Sequence, residues 1–276
     1  MRTFASPLAF TGATILLFIL LVAVFAPILS PYDPRALAGG SLEAPSVHHL
    51  LGTNGVGQDI LSEIIWGTRV SLTVAAGGAG LALLLGVLVG AGAGLLGGLV
   101  DIVAMRIVDV FLAMPVLPLL ILLAVLAGPS LTNLILVIGM LSWPHIARVI
   151  RSQTLSLRQR GFVRAARGFG GGPLYVMRRH LIPALGPLVV VSFVNVAALA
   201  VLLESGLSFL GLADPTAVSW GMMLNRAFNH EGLYFTSLWV WWVLPPGFAI
   251  TLTVLGFTFL GIGLEPRFNP RLKHAR

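Results

Sequence analysis

The sequence has no cysteine, which excludes a disulfide framework and thiol chemistry. It also has few charges. Asp, Glu, Lys and Arg make up 10% of its 276 residues, whereas ordinary soluble domains carry about 25%. Hydrophobic residues make up 57%. Because a water-soluble surface cannot be built from so few charged side chains, the composition predicts an all-α, polytopic membrane protein.

The short motifs of common catalytic sites are absent as well. There is no G-x-x-x-x-G-K-[ST] loop to bind phosphates, no G-x-S-x-G nucleophile motif and no H-E-x-x-H zinc helix. An intramembrane enzyme is an alternative, but a carboxylate pair at depth is missing, since Asp109 is isolated. The sequence therefore predicts a chain that is not an enzyme and holds neither a metal nor an ATP site of its own.

Six apolar segments approach or exceed the roughly 20 residues that a helix needs to cross a bilayer. They cover residues 8–29, 70–99, 102–127, 131–147, 184–203 and 238–264. A cleavable signal peptide is the alternative for residues 8–29, but the segment is long and further spans follow. The chain thus divides into residues 1–30, an extramembrane loop at 31–68 and a transmembrane domain at 69–276.

Two features of the spans predict how they pack and bend. Glycines four residues apart in the second segment form a smooth stripe, where a neighbouring helix can approach closely. These glycines are Gly86, Gly90, Gly94 and Gly98. In the third segment, Pro115 and Pro118 predict a kink, because proline lacks a donor for the helical ladder.

The distribution of charge predicts the orientation. With six spans, both termini lie on one face, and 14 of the 17 Lys and Arg residues fall on that face; the exceptions are Arg35, Arg69 and Arg226. By the positive-inside rule, this face is cytoplasmic. The net charge of +7 then reflects topology and contact with anionic lipids, and no nucleic-acid partner is expected.

The most basic segment is residues 148–183, which contains eight arginines and no acidic residue. Two short helices are predicted in it, at about 157–169 and 174–182. The run Gly170-Gly171-Gly172-Pro173 separates them. Glycine can adopt the left-handed conformation after a helix, and proline suits the first turn of the next one. The pattern predicts a helix, a sharp turn and a second helix at the cytoplasmic face.

This basic segment resembles the "EAA" loop of ABC-transporter permease subunits, whose pattern is E-A-A-x-x-x-G followed by H-x-x-P. Here Arg164 stands in place of the usual Glu. The resemblance implies that cytoplasmic ATPases grip this loop, and a salt bridge from Arg164 to an acidic residue of the ATPase is our hypothesis. The coupling residues that it implies are Arg164, Ala165, Ala166, Gly168, Gly170, Gly171, His180 and Pro183.

Further stretches resemble one branch of that family. Residues 49–62 resemble its H-x-L-G-T-D-x-x-G-R-D-x-x-S segment, with Asn54 for Asp and Gln58 for Arg. The matches to M-R-x-x-D, E-x-x-L-S-F-L-G-L, S-W-G and D-P-R-L are residues 105–109, 204–212, 219–221 and 269–272. The chain is identified as a member of the permeases for dipeptides, oligopeptides and nickel, most similar to the second permease of each pair (DppC/OppC type).

The resemblance implies a type I importer permease (MetI-like) fold in the cell inner membrane. It implies as partners a second, DppB/OppB-type permease, two ATPases that bind ATP and magnesium, and an extracytoplasmic solute-binding protein. Peptides are the expected cargo, with nickel or another small solute as the alternative. A stand-alone secondary transporter is the rival from another class, but no inverted repeat is evident.

Several residues have a functional and a structural interpretation. Arg106 and Asp109, three apart on a helix, form either an inner gate or a plain interfacial pair, which we favour. Glu204 either meets a cationic group of the cargo or, as we favour, anchors the following loop through its amides.

The remaining candidates lie in the loops. A hydrogen bond from His180 is expected to pin the basic segment to the fifth span. His48 and His49 are expected in a hydrated loop, because adjacent side chains splay apart. In the outer loop at 205–237, the aromatic candidates for contact with a binding protein are Phe209, Trp220 and Phe228.

Overall fold

The computed structural model describes residues 7–268, with side chains to residue 265, and this part of the chain is helical and free of strands. The predicted motif at 269–272 lies outside the described residues. The helices are α1 Pro7–Val24, α2 Ala26–Leu29, α3 Ile60–Leu96, α4 Gly98–Ala113, α5 Val116–Ala127, α6 Leu131–Arg158, α7 Gly161–Gly168, α8 Pro173–Val176, α9 Ile182–Phe209, α10 Trp220–Phe228, α11 Leu238–Trp242 and α12 Leu244–Phe268. A π-helical turn, Met177–Leu181, joins α8 to α9, and a short 3₁₀ helix spans Leu233–Phe235.

Five helical stretches in the described part are long and apolar enough to cross a membrane, and α4 with α5 form a sixth span if the bent pair is counted as one. The bend between α4 and α5 is 92°, much sharper than the predicted kink. It falls at Met114 and Pro115, which have extended backbone angles and so interrupt the helix. The prediction of six spans therefore agrees with the structure when α4 and α5 form one broken span.

The predicted boundaries are wrong at several helix ends. The second span begins at Ile60 rather than residue 70, the fourth runs on to Arg158, and the fifth joins the second helix of the basic segment from Pro173. A helix of 37 residues such as α3 is about 55 Å long, whereas the hydrocarbon core is about 30 Å thick. Hydropathy marks only the part of a helix that lies in hydrocarbon, so it misses the polar ends.

The glycine stripe packs α3 against α6, as predicted. A Cβ on Gly86 would lie 2.6 Å from Cβ of Ile146, and one on Gly94 would lie 2.8 Å from Cβ of Thr154. These distances are too short for any side chain, so the stripe fixes the separation of the two helices. Gly98 is the exception, because it begins α4 and meets nothing within 4 Å.

Helix α1 packs along α12 in the antiparallel direction. A Cβ on Gly12 would lie 2.6 Å from the carbonyl oxygen of Gly256, and Gly263 meets Ala9 in the same way. Because successive spans alternate in direction, both ends of the described chain lie on the face that also holds the α3–α4 turn and the α6–α9 connection. The connections α1–α3 and α9–α12 lie on the opposite face.

Candidate functional site

The α6–α9 connection, residues 159–181, is called the elbow below. Its first helix, α7, ends at Gly168, and Gly170 then adopts φ of 84°. The N–H of Gly171 donates to the carbonyl oxygen of Ala166 at 2.9 Å, a pairing that closes a helix through a left-handed glycine. Pro173 starts α8. The predicted helix, turn and helix are confirmed, although the second helix continues into the fifth span.

Three buried side chains anchor the elbow to the spans. Val163 of α7, Val176 of α8 and Leu181 of the π-helical turn are fully buried. They share one apolar cluster with residues of α3, α6 and α9, including Leu95 and Leu157. Since such a cluster resists deformation, it fixes the position of the elbow against these three spans.

Two arginines of the basic segment bind the end of α3. Nη1 of Arg158 donates to the carbonyl oxygens of Gly94 and Leu95, both at 3.4 Å, and Nη2 of Arg167 donates to the latter at 3.2 Å. These carbonyls end α3, where a helix leaves acceptors without intrahelical donors and favours positive charge. Both arginines therefore cap α3.

The opposite surface of the elbow carries groups that the described chain leaves uncovered. Arg164 and Ala165 are exposed, and no ion pair within the described residues involves this arginine. Phe169 is 94% exposed, and Leu174 and Tyr175 also face outward. Gly168 and Gly170 have open space around them. This surface can accept a partner that offers an apolar groove and negative charge.

His180 does not make the hydrogen bond that the sequence predicted. No hydrogen bond from its ring reaches another residue of the described chain. Its ring lies instead against Phe162 and Tyr175, at centroid distances of 6.0 and 5.6 Å. His180 lies in the π-helical turn. Pro183 follows it in the first turn of α9. His180 thus braces α7 against α8 through ring contacts.

Two ion pairs join α4 to the α6 end that leads into the elbow. Nη2 of Arg148 lies 2.6 Å from Oδ1 of Asp109, and Arg151 contacts both carboxylate oxygens of Asp101. The expected pairing of Arg106 with Asp109 is wrong, because that carboxylate points to α6. Arg106 is exposed and has no ion-pair partner among the residues described.

On the opposite face, the loop before α3 is a folded cap, defined here as residues 31–59. Nδ1 of His49 lies 3.0 Å from Oδ1 of Asp59, and both side chains are buried. Oδ2 of Asp59 accepts from the backbone N–H and the hydroxyl of Ser62, which caps α3. His49 is therefore not in a hydrated loop, as had been expected, but is a central part of the cap.

A second polar cluster joins the cap to α3 and α10. Nδ2 of Asn54 donates to Oε1 of Gln58 at 2.9 Å and to Oε2 of Glu63 at 3.0 Å. Nη1 of Arg226 donates to Oε1 of the same buried carboxylate at 3.0 Å. This cluster could not be predicted from the sequence, because 163 residues separate Glu63 from Arg226 and no motif links them.

Comparison with known proteins decides the family. The profile of the "binding-protein-dependent transport system inner membrane component" matches residues 82–274, and that of the "N-terminal TM domain of oligopeptide transport permease C" matches residues 1–45. The chain belongs to the first of these permease families. The predicted relationship and the multi-pass membrane fold are confirmed.

Several curated relatives match this permease over nearly its whole length. A Brucella suis protein named as a peptide permease is 39% identical over 95% of this chain and 87% of its own. Dipeptide transport system permease protein DppC of Bacillus subtilis is 37% identical over 96% of this chain and 82% of its own length. Nickel transport system permease protein NikC of Escherichia coli is 37% identical over 95% of this chain and 94% of its own length.

In the permease, Glu204 is buried among serine hydroxyls of α3, of α9 and of Ser219, the residue before α10. Its carboxylate accepts from Ser208 at 2.7 Å, from Ser71 at 3.2 Å and from Ser205 at 3.4 Å, and it also interacts with Ser219. The favoured structural role is thus consistent with the contacts, but the expected partners were wrong, because hydroxyls rather than loop amides hold the carboxylate.

The three aromatic candidates in the permease separate into two groups. Trp220 is 1% exposed, and its Nε1 donates to the carbonyl oxygen of Ile64 at 3.0 Å, so it cannot contact another protein. Phe209 and Phe228 are exposed and meet edge to face at 5.4 Å. Tyr234, with its ring 6.2 Å from that of Phe228, extends this surface. Sequence could not separate these rings, because burial depends on α3.

Proposed function

We propose that this permease is a transmembrane subunit of an ATP-driven ABC importer for dipeptides or oligopeptides. The names of its relatives support this cargo, and its lack of a phosphate-binding motif makes it dependent on partner ATPases. It forms half of the translocation pathway, together with a second permease of the DppB/OppB type. ATP and magnesium bind to the ATPases rather than to this chain.

The observation that carries the coupling role is the two-sided construction of the elbow. One side is locked into the spans by Val163, Val176 and Leu181, and the other presents Arg164 and the almost bare Phe169. A partner that grips the exposed side moves the spans, because the anchored side transmits the displacement. ATP binding then drives the spans toward an outward-open state, and hydrolysis resets them.

The orientation follows from the charges. We place the elbow and both termini in the cytoplasm, where the 14 basic residues counted on this face lie. The cap and α10 then face the opposite side, where a solute-binding protein delivers cargo. The exposed rings of Phe209, Phe228 and Tyr234 are the contact surface that we assign to it.

The bent pair α4–α5 of this chain offers a surface that the second permease can contact. This pair exposes many large apolar side chains beyond those that its contacts with α3 and α6 cover. They are Ile102, Val103, Ile107, Val110, Val116, Leu117, Ile121, Leu122, Val125 and Leu126. Lipid covers whatever part of this surface the second permease leaves free.

Nickel is the second candidate cargo, because NikC is as similar to this chain as DppC of Bacillus subtilis is. Co-reconstitution in liposomes with the partner permease, the ATPases and the binding protein distinguishes the proposals. Accumulation of labelled peptide that requires ATP is expected. Accumulation of nickel without accumulation of peptide would make nickel the assigned cargo. Uptake by this chain without its partners, under an ion gradient, would overturn the ABC assignment.

A further inference from the structure

A cavity of about 230 Å³ lies between α1, α3 and α12, on the cap side of the bundle. Helix α1 lines it near its end, and α3 and α12 line it near their starts. Leu51 of the cap and the buried Trp220 also contribute to its lining. The apolar parts of α1 and α12 therefore place the cavity in the leaflet next to the cap, beside the polar start of α3.

The cavity offers water too few polar partners to bind. Its polar lining groups are the hydroxyls of Thr68 and Thr253 and the indole of Trp220. All three donate to backbone carbonyls: the first to Ile64 at 3.0 Å, the second to Ala249 at 2.7 Å, and the indole to Ile64 at 3.0 Å. Because a water molecule needs two to four polar partners, a suitable occupant is apolar.

The cavity is also continuous with the lipid-facing surface of the spans. Two of its lining rings, Phe18 and Phe248, are 61% and 67% exposed. Phe248 and Pro245 also line an open groove of about 650 Å³ at the start of α12. A flexible hydrocarbon chain in the surrounding leaflet can enter the cavity from this groove, past the exposed ring of Phe248.

We propose that this cavity binds one acyl chain of a phospholipid from the leaflet on the cap side. The acyl chain fills the space between α1, α3 and α12 and contacts the side chains under the cap. Such a lipid would bind more tightly than bulk lipid, because its methylenes meet protein on several sides. The site is separate from the elbow and does not depend on the transported cargo.

The test uses full-length chain extracted from membranes with the proteins that co-purify with it. Dioleoyl phosphatidylglycerol is titrated, and native mass spectrometry counts the lipids bound per chain. Ala249→Phe places a ring in the cavity, and Ile262→Phe on the exposed part of α12 is the matched control. We expect Ala249→Phe to weaken the tightest lipid adduct about tenfold or more, because several buried methylenes are displaced.

A second measurement needs no variant. A phosphatidylglycerol with a diazirine on its acyl chain is photolysed with the unmodified protein, and the adducts are mapped by peptide. Adducts concentrated on residues 18–22 and 245–253 are expected. Equal lipid binding by the wild type and folded Ala249→Phe would overturn the proposal, as would adducts spread evenly over the exposed spans. Lipid adducts on a co-purifying protein, with none on residues 18–22 and 245–253, would show that a neighbouring subunit fills the cavity instead.

Discussion

Asn54 and Gln58 join their side-chain amides across one turn of the cap, with Nδ2 of the first donating to Oε1 of the second at 2.9 Å. These are the two positions at which residues 49–62 depart from the pattern that they resemble, with Asn54 for Asp and Gln58 for Arg. Because the two side chains contact each other, we expect the effects of changing them to be coupled. The same Nδ2 also donates to the buried carboxylate of Glu63 at 3.0 Å.

This geometry predicts that Asn54→Asp alone destabilises the permease. The substitution removes the Nδ2 donor that binds Gln58 and Glu63 and places a second carboxylate beside that of Glu63. We expect a penalty of about 1–3 kcal/mol, because the buried carboxylate of Glu63 loses a hydrogen-bond donor. Adding Gln58→Arg supplies a cation next to it and should recover part of the loss. Thermal unfolding in detergent measures both variants. A double variant no more stable than Asn54→Asp would contradict the coupling.

The ion pair of Glu63 with Arg226 should matter more than other charges on this face. Arg226→Met leaves a buried carboxylate without its cation, and we expect a loss of about 2–3 kcal/mol, below the fully buried case because the guanidinium is partly exposed. Glu63→Gln combined with Arg226→Met should cost less than Arg226→Met alone, since no charge stays buried.

The matched control is Arg69→Met, which removes a cation that rests on the ring of Trp66 with no ion-pair partner among the described residues. Its loss should stay below about 1 kcal/mol. The urea midpoint of each variant measures these differences. Equal effects at Arg226 and Arg69 would mean that the pair with Glu63 contributes little.

Sequence predicted the features that depend on local geometry. Glycines four apart marked the α3–α6 contact because a missing Cβ is visible in the sequence. Gly170 and Pro173 marked the turn of the elbow because their backbone preferences are intrinsic. Pro115 marked the break between α4 and α5, although its 92° angle depends on the packing of both helices.

Contacts between distant residues could not be predicted in this way. A spacing of three suggested Arg106 as the partner of Asp109, but the carboxylate reaches Arg148, which is 39 residues away. Trp220 was expected on the surface because it lies in the outer loop at 205–237, and it is buried because α3 lies beside it. The helix ends escaped prediction because hydropathy reports only the part in hydrocarbon.

Arg164, which has no ion-pair partner among the described residues, should differ in function from Arg167, which binds the end of α3. Arg164→Glu reverses a charge on the surface assigned to the ATPase, so we expect weaker assembly and unchanged stability of the permease. Arg167→Ala removes a donor to the last turn of α3 and should destabilise the chain by about 1 kcal/mol. Co-purification of the ATPases and thermal unfolding measure the two effects separately.

A charge reversal elsewhere on the same face controls for net charge. Arg178 is exposed in the π-helical turn, and Arg178→Glu should leave most of the assembly intact. Full assembly of Arg164→Glu with full coupled ATPase activity would remove this arginine from the contact surface.

The turn of the elbow should be required for coupling rather than for assembly. Deleting residues 170–173 shortens the connection between α7 and α8, while α7 keeps its buried Val163. We expect the complex to form but to import nothing, because a displaced α7 no longer moves α9. Peptide uptake and ATP hydrolysis by the reconstituted complex are the measurements. Uptake at the wild-type rate would contradict transmission through the elbow.

Single substitutions in the same turn separate its geometry from its length. Gly170→Ala places a Cβ on a residue with φ of 84°. This conformation costs a residue with a side chain about 1 kcal/mol. Because that cost opposes the native turn, we expect the rate of peptide uptake to fall. Gly172→Ala is the matched control, because its φ of −66° suits any residue and no atom lies within 4 Å of its Cβ position. If both variants lose uptake equally, the conformation of Gly170 is not what the elbow requires.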